Sequence, residues 1–193
     1  MPRTPHYQQS AILDAAFALV RRDGMEALNA RAVARELGCS TQPIFRVYSS
    51  MEELRRAVEQ RAMTYYTERI RQSASLDARA YRGTGLAYIG FAREEPQLFR
   101  LLFMCDHRSD THRQAEQDSS MDYVLSTIQH ATGYSREKAL LFHHVIWIFT
   151  HGLAVMVATQ FVPFTDEEIS RLLSEHYLAT KARFDATEHA AGV

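Results

Sequence analysis

"GCSTQPIFRVY", Gly38–Tyr48, decides how the rest of the chain is read. A helix this short is marginal in water on its own. It still carries helix signals: Ser40 can cap it, and Pro43 suits its first turn, where a missing N–H does little harm. At about 100° per residue, Thr41, Ile44, Val47 and Tyr48 share one side. Gln42 and Arg46 point the other way, with Phe45 flanking them. The inner side must pack on neighbours for the helix to exist, and the outer side is left for a partner.

The neighbours are legible on both sides. From about His6 to Arg22, Leu13, Phe17 and Val20 recur at helical spacing beside Ile12, Ala16 and Leu19, and Gly24 can close that helix. Asn29 can cap "ARAVAREL", whose inner face is Ala30, Val33, Ala34 and Leu37. After the short helix, Ser50 and Glu53 fit a capping box, and Leu54 and Val58 begin a stripe that can run on through "EQRAMTYYTERIRQS". Two helices joined by the tight Gly38–Ser40 turn make a helix-turn-helix over about 29–48, whose second helix lies in the DNA major groove. Gln42 can pair bidentately with adenine, and Arg46 with guanine or phosphate. Arg31, Ser40 and Thr41 suit phosphate oxygens. A purely structural helix corner with a solvated face fits the same spacing.

Residues 12 to 58 resemble the N-terminal DNA-binding domain of the TetR family of transcriptional regulators. The likeness rests on "ILDAA", the closing "DG", "VARELGCS", "TQPIFRVY" and the following "S-x-EEL". It implies DNA contacts at Arg31, Ser40, Thr41, Gln42, Pro43, Phe45, Arg46 and Tyr48. Two positions depart from the family's usual pattern. Phe45 stands where a tyrosine commonly meets a phosphate, so it offers apolar contact, for instance to a thymine methyl, and no hydrogen bond. Met51 stands where a lysine often opens the fourth helix, which leaves phosphate contact there to backbone N–H groups. Residues 1 to 60 hold eight arginines against seven acids, a net charge of +1, with Arg3 among the cations. That is meagre for a DNA binder and favours two copies on a dimer.

The remainder reads as helices as well. "TGLAYIGFAREE" precedes "PQLFRLLFM" with Pro96 in its first turn. "CDHRSDTHRQAEQDSS" reads as a loop or frayed helix. Two long helices follow, about 135–161 and 165–184, the second opened by a Thr165–Glu168 capping box, and the tail "ATEHAAGV" reads as loose. The expected organisation is all-α: a three-helix DNA-binding domain over 6–60 and a larger regulatory domain over 61–187. "FAREEPQLFRLLF" and "WIFTHGLAVM" are similar to a subgroup of TetR regulatory domains marked by Trp-x-x-x-His-Gly, here Trp147, His151 and Gly152. This resemblance implies an all-helical ligand-binding and dimerisation module.

"ALLFHHVIWIFTHGLAVMVATQFV" exceeds the length of a membrane span. His143, His144 and His151 lie within it and no aromatic–basic belts flank it, so the expectation is no membrane. A helix apolar on every face then needs its own domain on one side and a twin on the other. His144 and His151 share a face, but their spacing does not set two imidazoles on one ion, and no metal is expected. Tyr88, Phe91, Phe103, Tyr123, Trp147 and His151, with Phe99, Leu102, Met104 and Phe149, are candidates to line an apolar pocket, and an ordinary core accounts for them equally. A hydrophobic or aromatic effector would suit such a pocket, with His151, Tyr123 or Thr150 as polar anchors.

The chain has 193 residues, 46% of them hydrophobic, and a net charge of -1, which excludes disorder for the whole and leaves the sign of a partner open. Cys39 and Cys105 make no disulfide framework, and "MPRTPHYQQS" is no signal segment, so a cytoplasmic protein is expected. No nucleophile elbow, phosphate loop or His–Glu metal helix points to an enzyme, and no cofactor is implied. The expectation is a ligand-responsive repressor that binds a pseudo-palindromic DNA operator as a homodimer. A sensor of the same fold that has lost DNA binding is the alternative.

Overall fold

The structure, a computed structural model, describes residues 7–76, 80–105 and 111–190, with side chains at 7–72, 81–105 and 121–186. Among these residues every regular element is helical and no strand occurs, as the all-α expectation has it. Arg3 and the extreme tail lie outside them. The chain divides into two units, Met1–Glu68 with Glu95–Cys105, and Arg69–Glu94 with Asp106–Val193. Residue 60, the expected boundary, lies within the helix Met51–Leu76.

The first unit starts with α1 (Gln9–Asp23), α2 (Ala30–Glu36), α3 (Gln42–Val47) and the start of α4 (Met51–Leu76). Local chemistry sets each end. The Gly24 N–H bonds the Val20 carbonyl at 2.8 Å and closes α1. The Asn29 carboxamide accepts from the Ala32 N–H at 3.0 Å and opens α2. Gly38 takes φ +64°, a left-handed conformation that suits glycine. Its N–H reaches the Arg35 carbonyl and the Cys39 N–H reaches Ala34, the paired bonds of a Schellman stop. Cys39 is half-buried behind this turn. The capping expected of Ser40 does not form: Thr41 precedes α3 and makes no side-chain cap bond.

The core of this unit is Ile12, Ala16 and Val20 of α1, Val33 and Ala34 of α2, Ile44 of α3, Tyr48, and Leu54, Val58 and Ala62 of α4. Ile44 and Tyr48 alone remove enough apolar surface to contribute about 2 kcal/mol each, which holds a helix that propensity could not. The unit also includes α6 (Pro96–Phe103), which packs on α1 through Leu98, Phe99, Leu101 and Leu102. Glu95, just before α6, is 2% exposed. Arg21 donates to both its carboxylate oxygens, and the Tyr65 hydroxyl adds a bond at 3.0 Å. That clamp ties the start of α6 to α1 and α4, a long-range link with no local sequence signature.

The second unit holds α5 (Ala80–Glu94), α7 (Thr111–Thr132), α8 (Arg136–Ala158) and α9 (Asp166–Ala190). Helix α7 begins inside the stretch expected to be loop or frayed. Ser135 caps α8 and the Thr165–Glu168 box opens α9 in both directions, at 2.8 and 3.2 Å. The core centres on Phe142, with Tyr134 and Phe184 edge-on to it and Leu125, Ile128, Ala139 and Ile146 around it. Helix α8 is long and apolar enough to cross a membrane by length and composition. In this unit it packs on α5, α7 and α9. Its other side, Leu141, His144, Ile148 and Met156, is exposed, with Ile148 at 67%, and Leu178 of α9 is exposed too.

Candidate nucleic-acid interface

Pro43, Ile44 and Tyr48 turn inward and anchor α3, while Gln42, Phe45 and Arg46 are exposed on its outer side. Phe45 is 49% exposed, and neither its ring nor the Arg46 guanidinium has a partner among the described residues. Ser40 is exposed beside this face, Thr41 is partly covered, and Arg31 is exposed on α2.

The sequence candidates therefore separate by placement. Gln42, Phe45, Arg46, Ser40 and Arg31 are available to a partner, and Thr41 partly so. Pro43 and Tyr48 are core residues, so the side-chain contacts implied for them by resemblance are not open in this conformation. The helical wheel had already put Tyr48 inside. Its hydroxyl is buried and makes no hydrogen bond of ordinary geometry among the described residues, the Gln9 side chain being its polar neighbour. Burial pushes that phenol upward, while the Gln9 side chain pulls it back.

Arginines divide the same way. Arg22 pairs with Asp23 and Glu36, Arg55 donates to the Met25 and Leu28 carbonyls, and Arg61 pairs with Asp14 over the Phe17 ring. Within the helix-turn-helix, Arg31, Arg35 and Arg46 have no ion pair or side-chain hydrogen bond among the described residues. Arg35, which sequence reasoning passed over, is one turn beyond Arg31 and lines a cleft of about 320 Å³ with Arg22, Asp23 and Glu36. Its i, i+4 spacing from Arg31 was the available signal. At the start of α4, the Glu53 carboxylate accepts from the Ser49 N–H at 2.6 Å, and Ser50 Oγ accepts from the Glu53 N–H. Those two N–H groups are occupied, which narrows the phosphate contact expected at Met51 to the rest of the turn.

The effector candidates are brought together only in part. In the second unit the Tyr88 hydroxyl meets His151 Nδ1 at 2.9 Å, and Trp147 stacks on His151 with ring centres 5.1 Å apart. Burial holds His151 below its ordinary value, so its neutral ring is favoured. A second rung joins the same two helices, Tyr81 hydroxyl to His143 Nδ1 at 3.1 Å, with His143 held down to about 4 by burial and by His144. Phe91 is buried on α5, but Tyr123 is exposed on α7, away from any apolar interior. Phe103 is not in the regulatory unit: α6 carries it into the first unit, where it packs on Tyr66 and Phe99. Among the described residues no group of three or more His, Cys, Asp or Glu could hold a metal ion.

A braced short helix with an outward polar face, preceded by a glycine-closed turn, is a helix-turn-helix, the arrangement by which one class of DNA-binding proteins enters the major groove. The comparisons name the group. Residues 12–58 match the bacterial regulatory proteins of the TetR family, and residues 81–179 match a tetracyclin repressor-like C-terminal domain. The chain belongs to the TetR family of transcriptional regulators. Among solved structures it is similar to a TetR-like transcriptional regulator from Rhodococcus sp. RHA1, with TM-score 0.66 at 19% identity over 94% of this chain and 98% of that one. A protein of unknown function from the same organism gives TM-score 0.72 at 18% identity, over 92% and 98%. At such identities the likeness shows the fold. No curated protein matches the sequence.

Proposed function

We propose that the protein is a dimeric repressor that binds a pseudo-palindromic operator and is released by a small-molecule effector. The observation that carries this reading is the outward face of α3, where Gln42 and Arg46 are exposed and Arg46 has no partner among the described residues. Gln42 meets adenine and Arg46 meets guanine or phosphate, while Arg31 and Ser40 hold the backbone. The bare stripe of α8, continued by Leu178 of α9, is the surface for a second copy of this chain. Gly152, on the same helix, has no side chain to hold a second helix off. Two heads then meet half-sites roughly 34–36 Å apart.

The effector is hydrophobic or aromatic, and the Tyr88–His151–Trp147 group is its anchor: a stacking ring and an imidazole already fixed by a tyrosine. Its differential affinity for the non-binding form releases the DNA by linkage. Such a regulator works where the chromosome is, in the cytoplasm. A mobility-shift assay on the DNA flanking its own gene tests the reading. Wild type is expected to retard that DNA and Gln42→Ala/Arg46→Ala to fail. No shift by wild type, or an undiminished shift by the double variant, refutes it.

A further inference from the structure

We infer that α8 meets its counterpart in a second copy along one seam, Leu141, His144, Ile148, His151 and Val155, and that both His144 rings must enter it uncharged, so that the dimer loosens as the solution turns acid. The inference rests on the dimer reading above and names the residue that regulates that assembly. Its basis is a spacing: the five positions recur at i, i+3, i+7, i+10 and i+14. That is the heptad repeat by which one helix lies along another.

The structure turns this seam outward. Leu141, His144 and Ile148 are exposed, and His151 and Val155 are partly so, whereas Phe142, Ile146, Thr150 and Leu153 of the same helix are buried in their own unit. From Leu141 to Val155 the seam holds no permanent charge, so a like seam can close on it without stranding one. Of its two histidines, His151 is already held, its Nδ1 on the Tyr88 hydroxyl at 2.9 Å and Trp147 stacked on its ring. His144 makes no hydrogen bond or ion pair among the described residues.

The groups around it supply no bonded counter-charge. His143 lies beside it, ring centres 6.2 Å apart, with its own Nδ1 on the Tyr81 hydroxyl of α5. On α9, Glu175 is exposed and His176 reaches the Val145 carbonyl. On α7, Asp122 is paired with Arg136 of α8. Glu137 lies about 10 Å back along α8. An imidazole ordinarily takes up its proton at about pH 6.5. Closing an apolar seam over it favours the neutral ring, because the charged form loses its water. The separated chains therefore hold the proton more readily than the dimer. Assembly is at full strength above about pH 7 and weakens as pH falls below about 6.5. With two rings per dimer, the dissociation constant should rise about a hundredfold from about pH 8 to about pH 5.5.

The experiment uses the full chain, fluorescently labelled and diluted from micromolar to picomolar, with sedimentation read across that pH range. Wild type should show the hundredfold weakening at unchanged helical circular dichroism. His144→Gln, polar but unable to take a proton, should change less than about threefold. His176→Gln should respond like wild type. A wild-type dimer of constant affinity overturns the proposal, as does one that tightens in acid, a response that survives in His144→Gln, or dissociation that sets in only with loss of helix. Those outcomes leave the dimer intact at about pH 8. A wild-type chain that is monomeric even there removes the dimer reading itself.

Discussion

Arg21 and Glu95 make an unequal pair: the guanidinium side chain is 50% exposed and the carboxylate side chain 3%. Removing the arginine leaves a buried charge held by Tyr65, so Arg21→Ala should cost about 2 kcal/mol in urea denaturation, already discounted for the wet partner. Arg136→Ala, at a fully surface pair with Asp122, should cost under about 0.5 kcal/mol. Tyr48 makes the opposite case. A buried hydroxyl whose polar neighbour, Gln9, makes no bond of ordinary geometry with it contributes little, so Tyr48→Phe should change stability by less than about 1 kcal/mol, with operator affinity unaltered. A large loss of affinity would show that the hydroxyl meets DNA after all. His143 titrates at about 4 when folded, against 6.5 ordinarily, so the unfolded chain takes up the proton first. Its contribution is complete above about pH 6.5 and is lost as pH falls toward 4, amounting to at most about 3 kcal/mol. His143→Gln should flatten that acid limb when stability is followed from pH 7 to 4.

At the level of elements, the short-range signals were readable and the long-range ones were not. Asn29, Gly24, Gly38, Pro96 and the Thr165–Glu168 pair act within one turn of their own helix, and each does in the structure what its sequence position implies. Asn29→Ala should accordingly cost about 1 kcal/mol, seen as a lower thermal midpoint. Ser40 misled because a cap requires a backbone turn that the glycine stop before it already supplies. The membership of α6 was illegible: its apolar face could pack on any partner, and what ties its start is a carboxylate meeting an arginine 74 residues away. The binding face of α3 was legible because so short a helix must point its apolar residues inward. The regulatory candidates were not, since aromatic residues in a helical domain carry no mark that separates lining from core. Phe103 lies in the first unit and Tyr123 is exposed, which their sequence context did not mark.

At the level of the molecule, the exposed stripe of α8 predicts assembly. Ile148→Glu should give a monomer by sedimentation with unchanged helical circular dichroism, and the monomer should bind the operator at least about a hundredfold more weakly than the dimer, because the second half-site no longer adds to the first. The sparse free guanidinium set predicts a salt response. With Arg31, Arg35 and Arg46 on each of two heads, log affinity should fall with log salt at a slope near about -5. A much steeper slope would mean that other cations reach the phosphates.

The same tethering of arginines inside the head governs how the regulator would find its target. Guanidiniums locked to Glu95, Asp14 and backbone carbonyls hold helices together and cannot grip arbitrary chromosome. With little indiscriminate adhesion, few copies are sequestered on irrelevant sequence and the search runs through solution rather than by sliding. For the repressor proposed above, a handful of molecules per cell would then suffice for a single promoter.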